Sequence, residues 1–320
     1  MRYVGTLNEV ALTAEVAAVL KAVHISSDGL RAQVGDQVVE ADGSRALWPA
    51  LSSRLYEYFH IGHAHDPTLR PGTRDLPLEA ALAEGVPHRY TTSLVQVYET
   101  GETDWIVDLL DVRVRVPVDR VVSMDADGRA EVRADAVRPA LSPGFFLCDG
   151  SAGSVLGGGP ILRLYLHLAD SSYTPGAWRT ALGVLEGRKV PYRAKAFSRP
   201  SGYPRRDALV IYLEEKGWPV LESLVGELSA LPGLVDGVSA FARRVGPGLA
   251  VAWDPADNRT GMRMLSFGEH RCRVIAEGLI MSAAEGVPAE AAVVTTMLRG
   301  GVDPTAPYRN VTSPALPIDG

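Results

Sequence analysis

Leu162–Leu168 reads LRLYLHL, with leucines alternating strictly with Arg163, Tyr165 and His167. Side chains two apart on a strand share a face, so the pattern fits a half-buried β-strand. One face is all leucine and belongs against a core. The other presents Arg, Tyr and His together. Residues 190–197, VPYRAKAF, repeat the device more weakly and put Arg193 and Lys195 on one face of a second extended run. The chain then passes through SRPSGYPRRD, which crowds Arg199, Arg205, Arg206, Tyr203 and Asp207 around a Pro-Ser-Gly turn, into the apolar strand-length run ALVIYL at 208–213. Further on, SFGEHRC at 266–272 adds His270 and Arg271 just before a helix-like stretch.

Around these segments the periodicity predicts an α+β protein: a helical N-terminal part with a β-hairpin or small sheet, then a mixed β-sheet with helices packed on it. Residues 7–23 carry apolar positions at helical spacing, residues 28–41 fit a short hairpin, and 44–59 form a second helix whose regular part should follow Pro49. Residues 77–84 form a third. From 91 to 122 the period changes to two, which predicts strands joined at Gly101. The Gly-, Pro- and Ser-rich stretch 139–160 reads as a loop and places a boundary between an N-terminal lobe, 1–140, suited to peptide binding, and a catalytic lobe, 141–320. Helices are expected at 174–186, 220–231, 270–285 and 289–299, with a further strand at 248–253. Pro175 falls in the first turn of its helix, where the missing N–H costs nothing.

The 320 residues suffice for a large core or two lobes with a cleft between them. The net charge of −6 makes the cationic cluster local and argues against a nucleic-acid surface. Two cysteines without CxxC spacing fit a reducing compartment. No signal-peptide pattern and no run of membrane-spanning length is present, so a cytoplasmic protein with no membrane partner is expected.

Arginine offers a planar fork of donors suited to phosphate or carboxylate oxygens, and phosphate clamps usually collect several cations. Arg163, Lys195, Arg205 and Arg271 qualify. A lysine among arginines has its charged form disfavoured, which suits Lys195 to act as a base. Tyr165, Tyr203, His167 and His270 are candidates for moving protons. Taken singly, each arginine fits a surface ion pair equally well, and Tyr165 and His167 fit a solvent-facing sheet; the combination carries the functional reading. His60, His63, His65 and Asp66 form no complete metal set. GSVLGGGP around Gly153 lacks the GK[ST] of a phosphate loop, and no nucleophile elbow or kinase motif set occurs. Any phosphate on a substrate is therefore placed there by another protein.

Several motifs occur in a fixed order: LYEYF at 55–59, PGFF at 143–146, RLYLHL, Lys195 followed by YPRRDALVIYL, PGLAVAWDP at 247–255 and SFGEHRC. Together they resemble the HopA-type effector domain over residues 45–285, a domain first named in plant-pathogen type III effectors and found in actinobacterial gene clusters for class V lanthipeptides and thioamitides. In those clusters a separate phosphotransferase-like kinase phosphorylates Ser or Thr of a precursor peptide, and the HopA-type protein removes phosphate to leave dehydroalanine or dehydrobutyrine. The resemblance implies a phosphoserine/phosphothreonine lyase with a phosphorylated precursor peptide as substrate, that kinase as partner, and no cofactor or obligatory metal. The high-Arg, high-Ala composition suits a biosynthetic enzyme better than a secreted effector, and no long Ser-rich N-terminal export region is seen.

The chemistry then asks for a base, Lys195; an acid toward the leaving oxygen, His270 or Tyr203, with His167 a rival for base or acid; and a phosphate clamp of Arg163, Arg205 and Arg271. Arg193, Arg206, Tyr165 and Ser266 are further candidates for phosphate binding. Asp207 would orient Arg205 or Tyr203. Lys195 serves equally as an enolate or phosphate cation. The competing expectation is a non-catalytic phosphopeptide-binding module or a kinase partner with the same pocket.

Overall fold

A computed structural model describes residues 11–62, 73–109, 112–139, 141–155 and 158–318 of the chain. Among these residues lie seven α-helices and three sheets, an α+β fold with a helical N-terminal part, as the periodicity predicts. Helix α1 (Ala14–Lys21) is capped by Thr13, whose hydroxyl accepts from the Val16 N–H, and buries Val16 and Val19. A three-stranded antiparallel sheet of β1 (Val23–Ile25), β2 (Arg31–Val34) and β3 (Gln37–Glu40) follows, one strand more than the expected hairpin.

Helix α2 (Ser44–Leu55) runs through Pro49 instead of starting after it. Proline deletes one backbone donor, while Leu47, Leu51 and Leu55, spaced four apart, are all fully buried and hold the helix against its neighbours. It continues into a π-helical turn, Tyr56–Ile61. After α3 (Leu76–Glu84) come β4 (Tyr90–Glu99), β5 (Asp104–Leu109), β6 (Val112–Pro117), β7 (Val121–Met124) and β8 (Arg129–Asp135), ordered β6-β5-β4-β8-β7. The two outer strands, β6 and β7, are joined by only the short turn Val118–Arg120. Such a connection reaches at most about 14 Å, whereas four strand spacings of a flat sheet total about 19 Å, so the sheet curls around its own small core of Val95, Val107, Ala130 and Val132.

The third sheet is the frame of the C-terminal half. It comprises β9 (Phe145–Asp149), β10 (Leu162–Leu168), β11 (Tyr192–Phe197), β12 (Arg205–Leu213), β13 (Arg243–Gly246) and β14 (Leu249–Trp253), in the order β13-β14-β10-β12-β11-β9. Strand β9 lies inside the stretch expected to be loop: its apolar run FFLC is too short to stand out among flanking Gly, Pro and Ser. Every pairing is antiparallel, in place of the mixed sheet expected. Helix α4 (Thr174–Arg188) does return β11 to the direction of β10, but β12 slots between them and runs the other way.

Helices cover both faces. On one, Trp178, Leu182 and Leu185 of α4 and Leu221, Leu224 and Leu228 of α5 (Leu221–Ser229) pack on the leucines of β10 and on Ala208, Leu209 and Ile211 of β12. On the other, α2, α6 (Phe267–Glu285) and α7 (Ala289–Arg299) pack on Tyr165, Val210 and Ala252. All seven residues of β10 are therefore buried, where alternation alone indicated a half-buried strand. Its polar side is roofed by helices from both ends of the chain.

Truncating Leu164, fully buried on the central strand, to alanine should cost about 2–5 kcal/mol of unfolding free energy in urea titrations. Leu94→Ala, on the exposed face of β4, should stay within about 0.5 kcal/mol. Equal effects would contradict the layering.

Candidate active site

A cleft of about 840 Å³ opens over the second face of the six-stranded sheet, on β9 to β12, bounded by the start of α6 and the π-helical turn. Strand register builds its floor in two rungs. One runs Arg163 (β10), Tyr212 (β12), Arg193 (β11), Asp149 (β9); the next runs Tyr165, Val210, Lys195, Leu147. The period-two reading of β10 and β11 thus brings Arg163, Tyr165, Arg193 and Lys195 into one site.

Each floor arginine has an acid beside it. Asp149, fully buried, accepts from Arg193 Nε at 2.7 Å and Nη2 at 3.2 Å and from Ser154 Oγ at 2.8 Å, and also faces Arg138. Arg163 donates to Asp254 from the loop after β14 and lies 4.8 Å from the Tyr212 ring centroid. Lys195 differs. Among the described residues its ammonium has no hydrogen bond or carboxylate partner; it sits 4.3 Å from the centroid of Phe145 and 5.7 Å from that of Tyr212. The Tyr165 hydroxyl, buried and lining the cleft, has only the donor Arg163 beside it, so among the described residues its own O–H has no acceptor. Buried polar atoms are ordinarily satisfied, so an unpaired hydroxyl beside a cation marks a place for an acceptor from outside.

Asp207 reaches the cleft through an irregularity. Between Leu166 and Leu168 the pairing with β12 slips, so that Leu168 faces Arg205. Ala208 and Leu209 then both point into the main core, and Asp207 turns to the opposite face. Its Oδ1 accepts from Arg205 Nε at 2.6 Å, and its Oδ2 lies 3.4 Å from the Tyr56 hydroxyl. Burial raises the Asp207 pKa, but the charge and hydrogen bond of Arg205, then His60 and Lys195, outweigh it and hold the carboxyl at about 2. Burial, and then Asp207, push the Tyr56 hydroxyl well above its ordinary value. Arg205 itself is buried against the Phe197 ring, 3.8 Å from its centroid, and orients Asp207 instead of lining the cleft.

The other expected residues stand elsewhere. His167 lies beyond the same slip, with Nδ1 2.9 Å from the Gly237 carbonyl, outside the cleft lining. The Tyr203 hydroxyl is buried between Thr174 Oγ1 and the Phe197 carbonyl, at 2.8 and 2.7 Å. Arg206 donates to the Phe59 carbonyl at 3.2 Å. His270 is fully buried: Arg271 donates to its Nδ1 at 2.8 Å, which fixes the proton on Nε2, facing Asp257 at 2.9 Å. Arg271 also binds the Pro307 carbonyl and Asn310, and it ties α6 to the C-terminal loop behind Tyr165. Ser266 does line the cleft, as the N-cap of α6 in a capping box with Glu269.

What the sequence did not mark are Tyr56, Tyr212, Asp149, Asp254 and Glu269, and the place of His60. The π-helical turn sets Tyr56 and His60 side by side, ring centroids 5.1 Å apart, both on the cleft; π turns often occur at functional sites. His60 was weighed only with His63, His65 and Asp66, which lie outside the described residues. Among the described residues no three acidic, His or Cys side chains gather as a metal set, and no helix is long and apolar enough to cross a membrane.

A model of the HopA1 effector protein family matches residues 136–309. Two solved structures are similar in outline. The effector protein from Pseudomonas syringae pv. tomato strain DC3000 shares 14% identity over 81% of this chain and 88% of its own, with a TM-score of 0.48. That from Pseudomonas syringae pv. syringae strain 61 shares 19% over 54% of this chain and 65% of its own, with a TM-score of 0.41. No curated protein matches.

Burial pushes His60 and His270 down to about 4, with neighbouring arginines adding to the effect. The unfolded chain binds protons at these residues before the folded one does, so stability is full above the ordinary histidine value and falls as the pH drops from about 6.5 to about 4. Urea midpoints measured across that window should decline, ahead of the further loss when Asp207 and Asp257, both held at about 2, are protonated. A flat profile down to about pH 4 would contradict the buried, neutral histidines.

Proposed function

We propose, for a chain that belongs to the HopA1 effector protein family, that this cleft eliminates phosphate from phosphoserine or phosphothreonine of a ribosomally made precursor peptide, leaving dehydroalanine or dehydrobutyrine. The observation that carries the proposal is Lys195: among the described residues a cation without a carboxylate partner, one rung from Arg163 and Arg193, in a cleft where the Tyr165 O–H also has no acceptor.

β-Elimination needs a base for the α-proton, a donor for the departing oxygen and enough positive charge to receive a phosphate dianion. Arg163 and Arg193, bonded to Asp254 and Asp149, both line the cleft. Tyr165 supplies a neutral donor; burial pushes its hydroxyl pKa up, which keeps the proton in place. Lys195, one rung from both arginines on the cleft floor, faces the phosphate as a cation in this reading and hands a proton to the leaving oxygen. The sequence carries no phosphate loop or kinase motif, so the substrate comes from a separate phosphotransferase-like kinase, the partner this reading expects.

Incubation of a phosphothreonine peptide with the protein should lower its mass by ~98 Da, and Lys195→Ala should slow this by about 10²–10⁴-fold. Arg193→Ala should weaken phosphopeptide binding by roughly tenfold or more, the worth of a charge-assisted hydrogen bond, without touching affinity for the unphosphorylated peptide. A loss of ~80 Da would mean hydrolysis, and tight binding with no mass change would replace the lyase with a phosphopeptide-binding module.

A further inference from the structure

Elimination in this cleft needs a proton acceptor. His167 and His270 stand outside the cleft lining, whereas His60 is on it, 3% exposed, at the end of the π-helical turn. Its setting is built. The ring lies edge-on to Tyr165 at 5.7 Å between centroids, tilted against Tyr56 at 5.1 Å and Phe267 at 5.9 Å, and its Nδ1 is 2.8 Å from the Ser239 hydroxyl. The fourth side is the first turn of α6, where a Cβ on Gly268 would fall 2.2 Å from the ring carbon Cδ2 and 2.5 Å from Nε2. Gly268 is in an ordinary helix with no left-handed backbone to explain it; what it provides is room for this ring.

Resting on the lyase reading, we propose that His60 is the base of the cleft, with Gly268 and Ser239 as positioning residues. Nε2, the ring nitrogen not engaged by Ser239, takes the proton from Cα; that C–H electron pair becomes the Cα–Cβ double bond; the Cβ–O bond breaks, its pair staying on the phosphate oxygen, which takes a proton from the Lys195 ammonium. The products are the dehydrated residue and hydrogen phosphate, with the Cα proton on His60 and Lys195 one proton short until solvent exchange restores both. The resting states are those the step requires. His60, lowered to about 4 by burial, is neutral at physiological pH, and the ionised Asp207 nearby favours the imidazolium formed on proton transfer. Arg205, Arg163 and Arg206 oppose it, and the incoming phosphate dianion offsets them. Tyr56 and Tyr165 pack against the ring from the π-helical turn and β10, and Glu269 lines the same cleft from α6.

The test compares wild type, His60→Gln, His60→Ala with and without added imidazole, and Gly268→Ala on one phosphothreonine peptide, reading elimination by mass and phosphopeptide binding by titration. His60→Gln should bind within about threefold of wild type while eliminating at least about 100-fold more slowly, and imidazole should restore part of the His60→Ala rate. Gly268→Ala, which keeps the histidine but displaces its ring, should lose rate without imidazole rescue. His60→Gln that eliminates within about threefold of wild type overturns the assignment; so does loss of phosphopeptide binding in all three variants, which makes His60 a structural residue. Binding without elimination by wild type itself removes the lyase reading instead, and this assignment with it.

Discussion

A guanidinium leaves water only when an anion or a carbonyl faces it, because the charge otherwise costs several kcal/mol. That requirement organises the C-terminal half of this protein. Asp149 receives Arg193, Asp254 receives Arg163, Asp207 receives Arg205, and the Pro307 carbonyl and Asn310 receive Arg271. The acids come from β9, from the loop after β14 and from β12, so the cationic floor exists only once the sheet order has brought these distant segments together. Among the described residues Lys195 has no such acid, and the contrast between neutralised arginines and this lysine is what the proposed phosphate site rests on.

The roof matters as much as the floor. Tyr56 and His60 arrive from near residue 60, Ser266 and Glu269 from the first turn of α6, and the two elements meet over Tyr165. The span that matches the family model, residues 136–309, contains the cationic floor but not Tyr56 or His60. The N-terminal helices therefore contribute chemistry-bearing side chains to a cleft whose frame lies in the matched span.

Much of the floor was legible because strand periodicity is local: LRLYLHL and YRAKAF place Arg163, Tyr165, Arg193 and Lys195 on one face without reference to the rest of the chain. The same rule failed where the ladder is irregular. Alternation puts Asp207 on the face of Leu209, and the slip near Leu166 turns it to the other; His167 keeps the face of Tyr165 but lies beyond the slip, outside the cleft lining. A β-bulge leaves no dependable mark in a single sequence. His270 and Arg271 looked like site residues from composition, but nothing local says which side of α6 meets the cleft; the first turn offers Ser266 and Glu269 to it and the next residues to the interior. His60 was visible only as one of a histidine group, since its ring is seated against Gly268, more than two hundred residues away. Pro49 and the buried strand β9 show the same limit, with tertiary packing overriding a local signal.

The central claim is that the floor is a phosphate receptor with Lys195 at its heart. The most direct measurement is calorimetric titration with a phosphonate analogue of the phosphothreonine peptide, in which a methylene replaces the bridging oxygen so that nothing can be eliminated. The account predicts saturable binding that the unphosphorylated peptide does not show and that Lys195→Met weakens by roughly tenfold or more, on the order of a charge-assisted hydrogen bond. Equal affinity for the two peptides, or an affinity indifferent to Lys195, would contradict it.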